Sequence, residues 1–472
     1  MIMTRRMHPI ADVLVIVPGI MGSTLFRADQ PIWAPTTGAL LAALRSRFRS
    51  IRSLKLPMGI GDGPADDGVT PKALFPDIRL PLGLWTFDLG YTRLLSFLTS
   101  TFDVNSDPGQ GPCNLVAFPY DWRLSNRYNG TRLKTVAEDA LGRWRDSGSE
   151  HENAKLVFIC HSMGGLVARW YVDRLGGSSH TRAVITLGTP HRGSLRAVDA
   201  LSNGIRKGPR FFRVDLTEFG RSLPSLYQLL PEYACVEAAG PLQKLPSVTI
   251  QNLDSKRVHD AMEFHDQLAT GRAASKDHYF LHPIGGFKQP TLTTARLSGG
   301  RLEGVNEIGG QNEFGDGTVP RLSFTPKDLS SGNPCVHYVA DNHAGLVHNQ
   351  VAFNQLEGIL TANPVVHLAP SIEIGVETPE VLEFGDRLTV RATIDGPEVP
   401  LEVVVATESG SPLGLPVRLL RGPDDVLEAT PPALPPGCYR VTVRGVQPHG
   451  AQVSPVTTVV LVWPSEGELN VE

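Results

Sequence analysis

Lys155 to Tyr171 reads KLVFICHSMGGLVARWY, a continuous apolar run, then His161-Ser162-Met163-Gly164-Gly165, then apolar residues at helical spacing. A continuous hydrophobic run is the pattern of a strand buried on both faces. Leu166, Val167, Trp170, Tyr171 and Leu175 fall on one helical stripe. A strand, a sharp turn and a helix in this order form a nucleophile elbow, which holds a serine in a strained backbone conformation with its hydroxyl free. The residues two before and two after such a serine approach closely and must be small. Gly164 meets that demand; Cys160 stands where glycine is usual. Taken alone, the same letters also suit an ordinary helix N-cap serine, so the rest of the chain must decide.

Other apolar runs read as buried strands: Val13 to Val17, Asn114 to Phe118, Leu156 to Cys160, Ala183 to Leu187, Val248 to Asn252 and Val336 to Ala340. Between the second and third lies TRLKTVAEDALGRWRDS, with Leu133, Val136, Ala137, Ala140, Leu141 and Trp144 on one helical face. Alternating strands and amphipathic helices predict an α/β fold whose mostly parallel sheet is covered on both sides, within a domain spanning residues 1 to 362. Two stretches break the rhythm, residues 26 to 90 and 191 to 300. They are rich in Pro, Gly and aromatics, including Trp33, Trp85, Phe211, Phe212, Phe219 and Tyr227. They read either as irregular loops with core aromatics or as a cap and lid over a site.

From Pro370 the pattern changes to short alternating strands between Pro and Gly turns: Ile372 to Val376, Leu388 to Ile394, Leu401 to Ala406, Val417 to Leu420, Tyr439 to Val443 and Val456 to Val462. Residues 370 to 465 therefore read as an all-β, immunoglobulin-like sandwich. Tyr439, just ahead of its strand in PPGCYRVTVRG, resembles the tyrosine corner of such domains. This module carries no evident nucleophile, base or metal cluster. It reads as a docking or stabilising element for an unidentified protein partner.

A serine nucleophile requires a base, a carboxylate to orient the base, and donors for the oxyanion. In the doubly wound hydrolase fold they follow in the order serine, acid, histidine. Asp316 lies in EFGDGTVPRLS, a tight Gly-flanked turn that on local grounds could equally be a surface Asp-Gly turn. His343 follows the strand-like run of VHYVADNHAGLVHNQ and is favoured as base over His348, which is placed in the helix that follows. The first strand ends in Pro18-Gly19-Ile20-Met21-Gly22, where glycines let amides approach a substrate oxygen. The backbone amides of Ile20 and Met163 are the candidate oxyanion hole. Asp121 and Arg123 read either as substrate-facing or, by preference, as a buried structural ion pair, and His191, which precedes the acid and so falls outside the required order, reads at most as a supporting residue beside the site.

Taken together, VPGIMGSTL, FPYDWRLS, CHSMGGLVARWYV, VITLGTPHRGS, GDGTVP and the loop at His343 resemble, in order, the lecithin:cholesterol acyltransferase family. The resemblance runs over about residues 12 to 360 and implies an α/β-hydrolase fold acting on acyl lipids or other esters. It implies Ser162, Asp316 and His343 as the triad and the insertions as the cap and lid that receive acyl chains. It calls for no cofactor and no metal. The expected activity is a serine-dependent acyltransferase, lipase or phospholipase. A deacylase of lipid-modified protein or glycolipid is the alternative within the fold, and a non-catalytic binding protein the alternative outside it.

The remaining features narrow the setting. Net charge is −4 with no block of like charges, which argues against a nucleic-acid surface. His278 and His282 are the nearest histidine pair and lack a Cys or Glu partner, so no zinc site is read. Five widely spaced cysteines suggest no disulfide framework. Val13 to Val17 is too short for a signal core, and no run suits a membrane span. The expectation is a cytoplasmic protein whose contact with membrane or lipid is transient.

Overall fold

The computed structural model describes residues 7–463 apart from 35–52, 83–84, 208–213, 239, 276, 299–300, 328, 330–334, 362–371, 396–398, 409, 423–425 and 447–452. Six parallel strands form the central sheet: β1 (Val13–Val17), β2 (Leu115–Ala117), β3 (Leu156–His161), β4 (Thr181–Leu187), β5 (Phe280–Gly286) and β6 (His337–Val339). Their order across the sheet is β6-β5-β4-β3-β1-β2. The chain moves outward from β1 to β2, crosses back to β3, and then advances to β6. The direction of winding therefore reverses beside β1, and the crevice at the carboxyl ends of β1 and β3 is where such sheets place their sites.

The apolar runs are explained by burial on both faces. In β1, Val13, Val15 and Val17 belong to one core, while Leu14 and Ile16 belong to the other. In β3, Leu156, Phe158 and Cys160 face the first core, and Val157 and Ile159 the second. The first is covered by α2 (Asn126–Arg145), α3 (Gly164–Arg174) and α5 (Ser255–Ala274), with α4 (Leu195–Ser202) beside them; the second by α1 (Thr92–Thr101) and α6 (Gln350–Thr361). All five β1 side chains are fully buried, at about 1.5–3 kcal/mol each for residues of this size. Helix α2 starts where Ser125 accepts from the Arg127 and Tyr128 amides, and it buries Leu133, Ala137, Ala140 and Leu141. This is the α/β-hydrolase fold.

One expected strand is absent and one was not foreseen. Val248 to Asn252 follows a 3-10 turn (Leu245–Ser247) containing Pro246 and ends at Asn252 with φ +65°; among the described residues no strand pairs with it. Ile250 is nevertheless buried, so the apolar letters mark a loop packed on the core. The fifth sheet strand is Phe280–Gly286, disguised by His282, Pro283 and two glycines. Pro283 is tolerated because β6 pairs only from Ile284 onward, leaving the strand an edge at Pro283, where no ladder donor is needed.

In the insertions, Trp33, Phe219 and Tyr227 are core residues; Phe211 and Phe212 lie outside the described residues. Arg123 is fully buried, donates to Asp121 (2.6 Å) and Asp67 (2.7 Å), and also reaches the Leu54 carbonyl. It ties the first insertion to the sheet. Arg123→Met would leave Asp121 buried without a cation, and should lower the unfolding free energy by about 3–5 kcal/mol in urea titrations. A loss below 1 kcal/mol would mean the pair is dispensable.

The carboxyl-terminal strands form two sheets. One contains β7 (Glu373–Glu377), β9 (Val390–Asp395), β12 (Leu420–Arg421) and β13 (Leu427–Ala429); the other β8 (Val381–Glu383), β10 (Leu401–Thr407), β11 (Val417–Arg418), β14 (Gly437–Gly445) and β15 (Val456–Trp463). All pairs are antiparallel except β8 with β15. Between the sheets lies a core of its own that includes Ile374, Val390, Val403, Val441 and Val460. The Tyr439 hydroxyl donates to the Pro435 carbonyl at 2.6 Å, the bond expected of a tyrosine corner.

Candidate active site

The elbow is built by three constraints on one residue. Ser162 follows the last residue of β3 and is separated from α3 by Met163 alone, with φ +50°, a left-handed conformation rarely held by a non-glycine residue. Its amide donates to the Leu187 carbonyl (2.8 Å), and its own carbonyl accepts from the Thr189 hydroxyl (2.8 Å). The strain is thus held from the adjoining strand. A methyl group on Gly164 would stand 2.4 Å from the carbonyl oxygens of Val17 and Pro18. The close approach that demands glycine is therefore to the end of β1. Cys160 points into the first core, fully buried, and burial pushes its thiol well above the ordinary range. A small apolar side chain suffices there, which is why cysteine replaces the usual glycine without disturbing the turn.

The structure brings the three sequence-selected side chains into one hydrogen-bonded line. Ser162 Oγ lies 2.8 Å from His343 Nε2, and His343 Nδ1 lies 2.7 Å from Asp316 Oδ2. The other carboxylate oxygen, Asp316 Oδ1, accepts from the Thr318 and Val319 amides at 2.9 and 2.7 Å. The backbone repeats the link, since the His343 amide donates to the Asp316 carbonyl at 2.8 Å. Ser162, Asp316 and His343 are 6, 1 and 8% exposed, so water is largely kept from these bonds. With Oδ2 accepting from Nδ1–H, Nε2 is left as an acceptor facing the serine hydroxyl.

Ile20 and Met163 flank the same crevice, at the end of β1 and directly after the serine, and both are buried. Among the described residues neither amide has a hydrogen-bond acceptor. His348, placed in a helix by the sequence pattern, instead lies in the turn between a 3-10 segment (Gly345–Val347) and α6. His191 is buried and its Nε2 contacts the Thr186 hydroxyl (3.1 Å). Among the described residues no group of three or more His, Cys, Asp or Glu could hold a metal ion, and no helix is long and apolar enough to cross a membrane.

Sequence reasoning missed Tyr91 and His161. The Gly19 amide donates to the Tyr91 hydroxyl (2.8 Å), which lies 2.9 Å from His161 Nδ1; His161 Nε2 lies 3.2 Å from the His343 carbonyl. Because the His343 carbonyl can only accept, the imidazole hydrogen sits on Nε2, which leaves Nδ1 to accept from the Tyr91 hydroxyl while that oxygen accepts from Gly19. A neutral ring thus links the first strand's loop to the His343 loop. Burial, with His343 nearby, pushes His161 down to about 3. His161 was in view beside Ser162; Tyr91 carried no sequence signal.

Burial also lowers His265 and His282 to about 4. In the unfolded chain each of these three rings titrates near about 6.5. Between pH 4 and 6.5 the unfolded chain therefore binds protons that the folded chain does not. Stability is full above that window and is lost as pH falls through it, by roughly 1 kcal/mol per pH unit for each ring. Urea titrations should show a lower unfolding free energy at pH 5 than at pH 7. His265→Leu should flatten the dependence by about one proton, and an unchanged slope would contradict the assignment.

Residues 96–277 match the family model described as Lecithin:cholesterol acyltransferase. The resemblance drawn from the motifs is thus shown over this segment, which includes the elbow. An uncharacterized protein of Saccharomyces cerevisiae is 29% identical over 181 residues, covering 38% of this chain and 23% of that protein, so the match spans less than a quarter of the relative's length. Similar solved structures include the Tle4-Tli4 complex (TM-score 0.41, 14% identity, 76% of this chain and 98% of that one). Another is Bacillus licheniformis lipase BlEst2 in mature form (TM-score 0.37, 14% identity, 76% of this chain and 95% of that one). At such scores the fold assignment rests on the sheet order itself.

Proposed function

We propose that this chain, whose residues 96–277 match the lecithin:cholesterol acyltransferase family, is a serine-dependent lipid acyltransferase or lipase/phospholipase acting through an acyl-enzyme on Ser162. The observation that carries the reading is the buried line Ser162–His343–Asp316, with bonds of 2.8 and 2.7 Å. Ser162 Oγ attacks the ester carbonyl as its proton passes to His343 Nε2. Asp316, held by two amides, keeps the ring oriented and balances the imidazolium charge. The carbonyl oxygen becomes an oxyanion and accepts from the amides of Ile20 and Met163. Collapse expels the alcohol, which takes the proton from His343, and leaves the acyl group on Ser162. Water or a second alcohol then gives its proton to His343 as it attacks the acyl carbonyl; the bond from the acyl carbon to Ser162 Oγ breaks, Oγ takes the proton back from His343, and a free acid or a new ester is released.

Residues 26 to 90, and the parts of 191 to 300 outside α4, α5 and the sheet strand β5, which belong to the core and not to a lid, would serve as the cap and lid for acyl chains, within a hydrolase domain of residues 1 to 362 followed by the β-module of 370 to 465. A cytoplasmic setting with transient lipid contact is part of the same reading. Wild type and Ser162→Ala should be incubated with a mixed lipid extract and the products followed by mass spectrometry. The wild type alone should deplete an ester lipid and produce the matching free acid or transferred ester. Identical lipid profiles from both proteins would overturn the reading.

A further inference from the structure

We infer that the carboxyl-terminal β-module positions the acid and the base of the site, through Gln289, Asn342 and Arg196. The inference rests on the triad reading above and adds a role that the module's own sequence does not suggest. Asp316 and His343 both sit on loops, after β5 and β6 respectively, so the sheet alone does not fix them. What fixes them is seen in the residues next to each.

Gln289 pairs with Gly315, the neighbour of Asp316, in both directions: its amide donates at 2.9 Å and its carbonyl accepts at 3.1 Å. Its side chain turns to the module. Nε2 donates to the Ile374 carbonyl (3.3 Å), and Oε1 accepts from the Val376 amide (3.1 Å), so one carboxamide satisfies the edge of β7 as a strand would. Gln289 is 3% exposed, and a buried carboxamide bonded on both sides has little freedom to move. Between those two residues, Gly375 comes so near that a methyl group on it would meet the Lys288 carbonyl at 2.7 Å. The segment at Gln289 thereby links the loop that carries the acid to the module.

The base is held in the same way. Asn342, the residue before His343, donates from Nδ2 to the Thr457 carbonyl of β15, while its Oδ1 accepts from the Gly345 amide at 2.9 Å. On the far side of the acid, Arg196 Nε donates to the Gly317 carbonyl (3.1 Å), and its Nη1 lies 3.7 Å from Glu380 of the module. That last pair is part-exposed and contributes little by itself. The three links nonetheless converge on the residues flanking Asp316 and on the one preceding His343.

A module that merely docked would be expected to do so through continuous apolar packing. Here the seam contains a cavity of about 360 Å³, lined by Arg196, Gln289, Asp316, His343, Glu377 and Thr458 among others. Discrete polar bonds, not close packing, carry the connection at this point, while Trp463 at the end of β15 anchors the module in the first core. Gln289, Asn342 and Arg196 are thus positioning residues. Triad atoms need placement within about 0.5 Å, and a 1 Å error costs on the order of 100-fold in rate.

The test uses full-length Gln289→Ala and Asn342→Ala, which act on separate loops, and Gln289→Glu, which keeps the acceptor for Val376. Steady-state hydrolysis of a short-chain ester is measured beside thermal melting and backbone hydrogen exchange. Both alanine variants should lower kcat by about 10- to 100-fold with KM changed less than about twofold. Exchange should rise at residues 314–320 in the first and 341–347 in the second, and Gln289→Glu should recover part of kcat. Wild-type kcat in both alanine variants, or exchange that rises evenly over the whole chain, would overturn the inference. Hydrogen exchange needs no activity: if wild type hydrolyses no ester, the proposed function fails, and the exchange result still decides whether the module holds the two loops.

Discussion

Ser162→Ala is expected to abolish both covalent labelling by a fluorophosphonate and hydrolysis of a short-chain ester, with a loss in kcat of about 10⁶-fold. The expectation follows from what the fold spends on this one residue. A non-glycine φ of +50° is costly, of order 1–3 kcal/mol, and is sustained by bonds from Leu187 and Thr189 and by the close approach of Gly164 to β1. An ordinary helix N-cap serine accepts from the helix's first amides, whereas Ser162 Oγ is directed to His343. Alanine keeps the backbone and removes only the hydroxyl, so the variant should melt near the wild-type temperature. Labelling that survives the substitution would mean that another side chain is the nucleophile.

The second large effect is expected at His343. His343→Ala should reduce kcat by roughly three or more orders of magnitude, because no other imidazole among the described residues bonds the Ser162 hydroxyl. His348→Ala should reduce it less than about tenfold. The two histidines are five positions apart, and the distinction is geometric. His343 bridges Ser162 and Asp316, while His348 occupies the turn before α6. Comparable losses from both substitutions, in proteins of equal melting temperature, would show that His343 is not the base.

The side chains of the candidate site were more legible in the sequence than the frame that holds them. Ser162 and His343 each follow closely on a strand, Asp316 lies in a Gly-flanked turn, and such punctuation is local. Cys160 looked like a flaw because the elbow rule concerns residues that approach one another in space. In this chain the tight approach is made by Gly164 to Val17 and Pro18, residues well over one hundred positions earlier. The strand at Phe280–Gly286 was hidden because its proline is allowed by the length of a neighbouring strand, and the run at Val248 resembled a strand because burial in a loop uses the same residue types. Tyr91, Gln289 and Asn342 are ordinary polar letters until the fold brings distant segments against them. Trp33, Phe219 and Tyr227, which the sequence left open between lid and core, are core.

The most direct test of the central claim is to find the acyl group on the enzyme. Protein is mixed with a p-nitrophenyl ester, quenched with acid within milliseconds to seconds, digested, and examined by mass spectrometry. An acyl group on the peptide containing Ser162, formed in the first turnover and absent from Ser162→Ala, is the predicted result. Ester turnover with no acyl adduct on that peptide at any quench time, or an adduct on a different residue, would contradict it.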